Sequence, residues 1–548
     1  MRVLVTNAQD DFRVKAYAGT NGVLLSMDLA ESRRKGLLGF AIEKQQGDKP
    51  WLFLFNSLTF PDTAHTFPQF HATPSDKAPL QKFRWADYAV NPGVTLHYRV
   101  HLAYGSYKAP QLGESLEVTI TSDDAMPANQ RVIFNRAVAA SQAFQRKFPE
   151  LDALIDANKH LSIDDWPDAP RRWLENGLLG RLTGFIDRAL DATWALDVAI
   201  YEYELPVIVD AVNAAFARGA RVRVLYHAEP GDDTTLRNEA NLERLPPANK
   251  RGRVTHNIFH DKFIVLSKID DRGALQPEAV LCGSTNFTAN GVYRQANVVH
   301  VLDDPRVSDS YRQVFEQIWE APDDVDATRE WLNRNNPMKP GEPLFVGFSP
   351  RTGGGDLDRF VDIIEAARKD LLFVTAFVLP DRILDALLGQ PNDDILRYGL
   401  QNTTSRITGF HADRTAEFAA TALLNTGLEG WLKENKKGQK GNLLVHTKAV
   451  VTDFTSDTPT IISGSHNLSA AASSGNDENY LIIQGDTDLA DRYGLELLRF
   501  YEHYRFRYFA KKLALKQVKP LAVDDSWSDD YYREGDLRML SRVRFGGR

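Results

Sequence analysis

The sequence predicts a multidomain protein: an N-terminal all-β sandwich, then two tandem α/β domains whose mixed sheets are flanked by helices and related by pseudo-twofold symmetry. Three observations predict this fold class. Segments of alternating polarity fill residues 1–125, helices and apolar strands alternate from about residue 130, and the second part of the chain repeats the element order of the first. A chain of 548 residues is long enough for two or three such domains.

The N-terminal region is predicted to be β-rich because its apolar residues recur at every second position. In residues 94–102 the apolar side chains share one strand face and the polar ones share the other: Leu96, Tyr98, Val100 and Leu102 against Thr95, His97, Arg99 and His101. Half-buried strands of this kind pack face to face in a sandwich. We interpret His97 and His101 as solvent-facing strand residues and not as a metal-binding pair.

From about residue 130 the pattern indicates helices and strands in alternation. Residues 171–190 are amphipathic at helical spacing, and residues 194–203 form a largely apolar segment typical of a strand. A helix is predicted at 205–220, with Gly219 near its end, and another strand at 221–227. Strand, helix and strand with short connections form a βαβ unit, which predicts a parallel or mixed sheet covered by helices.

The same order of elements recurs downstream. Residues 355–368 predict a helix, residues 370–377 an apolar strand, and residues 405–411 a further strand after an intervening helix. The segment rich in Asn and Pro between the halves is the predicted linker. The predicted division is a sandwich at 1–128, a first α/β half at 129–332, a linker at 333–343, a second α/β half at 344–515 and a polar, aromatic tail at 516–548.

Composition limits the class of protein. The chain is 43% hydrophobic and 25% charged, which is ordinary for a globular protein, and its net charge of −8 argues against non-specific coating of nucleic acid while leaving room for a local basic cleft. The N-terminus lacks a signal-peptide pattern and no apolar run reaches membrane-spanning length, so we expect no integral membrane association. The single cysteine, Cys282, cannot form an internal disulfide, which favours a cytoplasmic location. The sequence leaves the oligomeric state open.

Two copies of one motif carry the candidate chemistry. In each copy a histidine and a lysine stand two residues apart at the start of an apolar strand, so both side chains point to the same face. In each copy a Gly-Ser-x-Asn segment follows a second apolar run and supplies uncharged donors. The candidate residues are His260, Lys262, Ser284 and Asn286 in the first copy, and His446, Lys448, Ser465 and Asn467 in the second. Positive charge, directional donors and a nitrogen nucleophile are what binding and attack at a phosphate require.

These two His-x-Lys and Gly-Ser-x-Asn motifs resemble those of the phospholipase D superfamily, over roughly residues 130–515. The resemblance implies two phospholipase D-like halves whose motifs form one phosphodiesterase site without a metal or other cofactor. It implies a covalent phosphohistidine, with His260 as the nucleophile and His446 as the acid and base. Lys262, Lys448, Asn286 and Asn467 are then catalytic residues that hold phosphate oxygens, and Ser284 and Ser465 bind substrate.

Some positions depart from the family pattern. An acidic residue that orients the attacking histidine often follows the second segment, and Glu478 fits that place; the corresponding place in the first half is assigned to Ala296, beside Gln295. The aspartate five residues after the motif lysine is present as Asp453 but is Ser267 in the first half. A metal site is not expected, because an ammonium beside each histidine repels a cation.

The substrate class divides into three hypotheses. A nuclease is favoured, because "GSTNFT" resembles nuclease members, "GSHNLSAAA" is similar to the tyrosyl-DNA phosphodiesterase branch, and a loop before His446 is rich in lysine (Lys433, Lys436, Lys437 and Lys440). The alternative is a phospholipase D acting on phosphatidyl head groups, with the aromatic segment 500–509 touching a bilayer. The third is a non-catalytic phosphate-binding module, which the presence of both His-Lys pairs disfavours.

Overall fold

The computed structural model describes residues 1–123, 130–137, 144, 147–151, 163–255, 257–421, 445–512 and 519–547. The N-terminal strands are β1 (Arg2–Thr6), β2 (Phe12–Ala18), β3 (Val23–Leu29), β4 (Gly39–Gln46), β5 (Leu52–Phe53), β6 (Phe55–Asn56), β7 (Thr73–Pro74), β8 (Arg84–Asp87), β9 (Thr95–Ser106) and β10 (Ala109–Thr121). They form two four-stranded antiparallel sheets, β1-β2-β3-β8 and β10-β9-β4-β5, and β6 pairs with β7. The apolar faces of the two sheets share one core. The predicted β-rich N-terminal region is confirmed.

A seven-stranded mixed sheet follows. Its strands are β11 (Gln130–Phe134), β12 (Trp194–Ile200), β13 (Arg221–His227), β14 (Lys250–Arg253), β15 (Lys262–Ile269), β16 (Leu275–Gly283) and β17 (Val298–Leu302), in the order β11-β17-β16-β15-β12-β13-β14. The helices of this part are α1 (Asp168–Glu175), α2 (Leu178–Ile186), α3 (Pro206–Ala217), α4 (Asp233–Asn241), α5 (Pro305–Glu320) and α6 (Val325–Asn335). β12 runs parallel to β13 and antiparallel to β15, so β15 begins beside the end of β12.

An eight-stranded mixed sheet comes next. Its strands are β18 (Leu344–Ser349), β19 (Asp370–Thr375), β20 (Leu396–Gln401), β21 (Gly409–His411), β22 (Ala416–Ala420), β23 (Lys448–Thr452), β24 (Thr460–Gly464) and β25 (Glu478–Gln484), in the order β18-β25-β24-β23-β19-β20-β22-β21. Its helices are α7 (Gly355–Glu365), α8 (Asp381–Leu388) and α9 (Ala470–Ser474). β19 runs parallel to β20 and antiparallel to β23. The mixed α/β sheets flanked by helices are confirmed, and the five-part division of the chain stays a prediction.

The C-terminal region packs back onto the rest of the molecule. Helix α10 (Thr487–Lys512) buries four aromatic side chains of the segment 500–509, those of Phe500, Tyr501, Tyr504 and Tyr508, and α11 (Leu537–Gly546) lies against β3. Tyr532 donates to the carbonyl of Leu29 at 2.9 Å, and Trp527 donates to that of Leu37 at 2.8 Å. The predicted tail therefore covers the N-terminal sheets. Among the helices of the described ranges, none combines the length and hydropathy needed to cross a membrane.

Two predicted elements differ from the structure. The strand expected at 405–411 is a strand only at its end, and the main strand is Leu396–Gln401, where the buried polar Arg397 and Gln401 interrupt the apolar pattern. The helix expected at 171–190 is broken between α1 and α2, because Asn176 and Gly177 adopt φ angles of 53° and 84°.

The two large sheets meet where the motif histidines lie. Phe259 bridges to Asp477, and Ala296 bridges to Val445, so each sheet contributes backbone to the entry of the other sheet's motif strand. Beside this seam the buried Arg253 donates two hydrogen bonds of 3.0 Å to the carboxylate of Asp477. The seam is thus fixed by backbone pairing and by a buried ion pair.

Candidate active site

The structure brings the two predicted motifs together. His260 and His446 each lie two residues before the lysine that begins β15 or β23, and both histidines and both lysines are at most 4% exposed. The imidazole ring centroids of His260 and His446 are 6.3 Å apart, and the rings are inclined by 67°. Two imidazoles and two ammonium groups therefore share one buried space.

The ring of His260 is held by a carboxylate. Its Nδ1 lies 2.7 Å from Oε2 of Glu478, and its backbone N–H donates to the carbonyl of Asp477 at 2.9 Å. A carboxylate accepts and does not donate, so Nδ1 carries the hydrogen and Nε2 presents a lone pair. The predicted partner Glu478 thus contacts the histidine of the other half of the chain, and it leaves His260 with an Nε2 lone pair on a ring backed by an anion.

The ring of His446 is held by neutral acceptors. Its Nδ1 lies 3.0 Å from the carbonyl of Ser284 and 3.0 Å from Oδ1 of Asn297. The amide of Asn297 is oriented by its own Nδ2, which donates to the carbonyl of Gly291 at 2.9 Å. Nδ1 of His446 therefore carries the hydrogen, and Nε2 accepts from Nζ of Lys448 at 3.1 Å.

The sequence assignment of Ala296 as the counterpart of Glu478 is wrong, and the counterpart is Asn297. The carbonyl of Ala296 instead accepts the backbone N–H of His446 at 2.9 Å. Asn297 and Glu478 each stand 13 residues after the serine of their motif. The spacing from the motif serine identifies Asn297 in the sequence. The acidic character of Glu478 does not, because Asn297 is uncharged.

The motif serines orient the residues that hold the histidines. Ser284 Oγ donates to Asn297 Oδ1 at 2.7 Å, and Ser465 Oγ donates to Glu478 Oε2 at 2.7 Å. The glycine before each serine adopts a φ near the left-handed limit (158° and 156°), and a Cβ there would lie 2.2 or 2.3 Å from a backbone oxygen. The glycines thus permit the close strand pairing that places the serines. We propose that the serines affect substrate indirectly, by orienting the residues that hold the histidine rings.

The two motif asparagines have different surroundings. Asn286 Nδ2 donates to the carboxylate of Glu202, which follows β12, and burial raises the pKa of Glu202. Within the described part of the chain, the Oδ1 atoms of Asn286 and Asn467 are buried without a hydrogen-bond partner. Glu202 was missed by sequence reasoning, because nothing in its local pattern distinguishes it from a solvated residue at a strand end.

Other predicted features lie away from the site. Asp453 accepts the backbone N–H groups of Arg368 and Lys369 at 2.8 and 2.7 Å, so it fixes the turn before β19. Ser267 takes that place in the first half and lies inside β15. The lysine-rich loop before His446 falls outside the described residues.

Burial of several cationic groups together shapes their titration. Burial lowers the pKa of Lys262 to about 8 and that of His260 to about 4, while the Glu478 carboxylate opposes both shifts. Burial, with the charges of the neighbouring cations, also holds the pKa values of His446 and Lys448 well below their usual ranges. An anion placed among these groups would raise all four pKa values, so the site is electrostatically suited to a phosphate.

A further pair of residues fixes the backbone ahead of each histidine. The N–H of Phe259 donates to Nδ1 of the buried His227 at 3.2 Å. In the second sheet the N–H of Val445 donates to Oδ1 of Asn402 at 3.1 Å. His227 follows Tyr226, which pairs with the last residue of β12, and Asn402 follows Gln401, which pairs with the last residue of β19. The two residues therefore occupy equivalent positions and do the same task.

Comparison with known proteins finds similar sequences for part of the chain. A family model described as "Cardiolipin synthase, PLD-like domain" matches residues 185–319, which include the first motif. Mitochondrial cardiolipin hydrolase from Chlamydomonas reinhardtii is 28% identical over 141 residues, which cover 25% of this chain and 57% of that protein. This chain therefore spans little more than half the length of the curated relative.

Two solved structures are also similar. Phosphatidylserine synthase from Haemophilus influenzae is 13% identical with a TM-score of 0.42, covering 62% of this chain and 91% of that one. Nuc from Salmonella typhimurium, a phospholipase D family member, is 22% identical with a TM-score of 0.21, covering 26% of this chain and 86% of that one. Likenesses this distant do not identify a substrate.

Replacing the anion behind His260 tests the electrostatics of the site. Glu478→Gln should lower kcat/KM for bis-p-nitrophenyl phosphate on the order of 10²-fold. Glu478 raises the pKa of Lys262, which binds an anion only while it is charged, so the alkaline limit of kcat/KM should move to lower pH by about one unit. Asn297→Asp adds a charge at the equivalent place and should move the limit upward. An alkaline limit that neither variant moves would contradict this reading.

Replacing His227 tests whether it positions the chain before His260. His227→Ala should lower kcat on the order of tenfold with little change in KM, because a misplaced His260 ring would affect the chemical step more than binding. His227→Asn introduces the residue that does this task in the second sheet and should stay within about threefold of the unmodified protein. Equal losses in both variants, at unchanged thermal stability, would show that the Phe259 contact does not position His260.

Proposed function

The chain belongs to the phospholipase D superfamily, and we propose that it is a metal-independent phosphodiesterase that acts through a covalent phosphohistidine. The observation that carries the proposal is the pair of buried imidazoles, His260 and His446, with ring centroids 6.3 Å apart and a lysine beside each. Rings at this separation can bracket one phosphorus, with reacting atoms about 3–3.5 Å apart on each side. The two lysines would neutralise the non-bridging oxygens of a diester bound between the rings.

In the first step Nε2 of His260 attacks phosphorus and forms an N–P bond, while the bond from phosphorus to the leaving oxygen breaks. His446 donates the proton on its Nε2 to that oxygen, so the leaving group departs as an alcohol. The unbound site disfavours a protonated His446, but the negative charge of the diester raises its pKa. Glu478 stabilises the positive charge that develops on His260.

In the second step the neutral His446 takes a proton from water, and the water oxygen attacks phosphorus. The N–P bond breaks, its electron pair returns to Nε2 of His260, and a phosphomonoester is released. The carboxylate behind His260 supports the assignment of this ring as the nucleophile. A phosphohistidine is positively charged, and a carboxylate stabilises that charge better than the neutral amide of Asn297 behind His446 would.

Nucleic acid is the proposed substrate class. The aromatic segment 500–509 was the basis for expecting contact with a bilayer, but its residues Phe500, Tyr501, Tyr504 and Tyr508 are at most 7% exposed and belong to the core. Beside His446 the ring of Phe377 is 38% exposed, and an exposed aromatic ring favours a substrate that carries bases. A phospholipid is the second candidate, because the curated relatives include cardiolipin hydrolases.

We also propose that the two large sheets are duplicated halves related by a pseudo-twofold axis through the site. Equal strand order around the motif strands and the exchanged contacts of Glu478 and Asn297 support this relation. The cytoplasmic location expected from the single buried Cys282 stays a prediction.

Blocking the second step tests the covalent mechanism. With bis-p-nitrophenyl phosphate, whose leaving group needs no acid, His446→Asn should release about one equivalent of nitrophenolate and retain an acid-labile adduct, because it lacks the base that activates water. Intact-protein mass spectrometry and peptide mapping should place the adduct on His260, and His260→Asn should give neither burst nor adduct. An adduct on His446 in the His260→Asn variant would reverse the roles.

Substrate class is tested with the full chain in EDTA. The substrates are offered at equal phosphodiester concentration, with His260→Asn as the control. They are single-stranded DNA, duplex DNA, RNA, phosphatidylcholine vesicles and cardiolipin vesicles. We expect cleavage of nucleic acid that is insensitive to EDTA and absent in the control. Cleavage of vesicles alone would replace the nuclease with the lipid enzyme, and loss of activity in EDTA would remove the metal-free mechanism.

A further inference from the structure

Two segments form walls of the candidate site: the first wall follows β12 and the second follows β19. The two walls differ at equivalent positions. Ile200, the last residue of β12, pairs with Tyr226, and Thr375, the last residue of β19, pairs with Gln401. Two residues further along, the first wall carries Glu202 and the second carries Phe377. At this position the first wall is therefore acidic, whereas the second is aromatic.

The two carboxylates of the acidic wall are both paired. The carboxylate of Glu202 accepts from Nδ2 of Asn286, and the next acidic residue, Glu204, pairs with Arg237 at 2.6 Å. Lys262 lies beside this wall, with its Nζ 5.3 Å from the ring centroid of Tyr201. Tyr201 also packs against His260, with ring centroids 5.4 Å apart. This wall therefore belongs to the His260 side of the site.

The aromatic wall belongs to the His446 side and is open. The ring of Phe377 lies 6.4 Å from that of His446, and Nζ of Lys448 lies 5.9 Å from its centroid. Phe377 is 38% exposed and Val378 is 71% exposed. The loop is held at Ala376, whose carbonyl accepts from Nδ2 of Asn402 at 2.9 Å, so the ring projects from a fixed backbone.

In-line displacement connects the walls to the two ends of the diester. The leaving oxygen departs on the side opposite the nucleophile, so attack by His260 places the leaving group beside His446 and therefore beside Phe377. We propose that Phe377 is the stacking surface for the nucleobase of the leaving nucleoside. This rests on the proposed nuclease function and on His260 as the nucleophile.

The test uses the full chain and three dinucleotides: dTpdT, and the two versions in which one base or the other is replaced by an abasic tetrahydrofuran. Mass spectrometry of the products identifies which nucleoside leaves. Phe377→Ala should lower kcat/KM for dTpdT about tenfold or more, because stacking on one base contributes that much. The loss should shrink below about twofold when the leaving base is absent, and Phe377→Trp should restore activity on dTpdT.

A matched control is Phe410→Ala, which removes another exposed phenylalanine, at 53% exposure, from β21 at the outer edge of the same sheet. It should leave all three substrates unaffected, and circular dichroism melts should show that each variant is folded. Three results for Phe377→Ala would overturn the stacking role while the nuclease stands. They are an equal loss of kcat/KM on all three dinucleotides, a loss that depends on the base of the retained nucleoside, and no loss. Absence of dTpdT cleavage by the unmodified protein, with vesicles cleaved instead, would overturn both.

Discussion

Each motif histidine is held by the opposite sheet, and this exchange is the constraint on which the rest of the site depends. Glu478, from β25, holds the ring of His260, while Asn297, next to β17, holds the ring of His446. The backbone N–H groups of the two histidines are bound in the same crossed manner, by the carbonyls of Asp477 and Ala296. Neither histidine has its orientation fixed by its own sheet alone, so a functional site requires both sheets in contact.

The basic groups of the site share a buried space because burial disfavours their charged forms. Two ammonium groups and two imidazoles lie together, and burial lowers the pKa of each of them. The carboxylate of Glu478 opposes this shift at His260 and Lys262. A negatively charged diester would complete the neutralisation, which gives the site a preference for anions that follows from its own electrostatics.

Corresponding positions in the two large sheets carry different chemical groups. A carboxylate stands behind one ring and an amide behind the other, and Glu202 beside the first motif corresponds in position to Phe377 beside the second. A symmetric site would hold a diester equally well in either direction. The differences at Glu478 and Asn297, and at Glu202 and Phe377, provide a physical basis for one direction of attack.

The repeated motifs, and with them the place of the site, could be predicted from the sequence because strand periodicity puts His and Lys on one face and the whole pattern occurs twice. The partner of His446 could not, because Asn297 is uncharged and only its spacing from Ser284 marks it. Glu202 and His227 act through contacts across β-strands and loops that no local pattern reveals. The strand at Leu396–Gln401 was missed because Arg397 is buried through its pairing with Asp393, which periodicity alone does not anticipate.

The proposed reaction requires two imidazoles from different sheets to act on one phosphorus. A crystal structure of the full chain with orthovanadate would show whether they do, since vanadate adopts the trigonal-bipyramidal geometry of an in-line displacement. We expect vanadium bonded to Nε2 of His260, with Nε2 of His446 hydrogen-bonded to the opposite apical oxygen and both lysines on equatorial oxygens. Vanadate bound by the residues of one sheet alone, with the other histidine turned away, would contradict it.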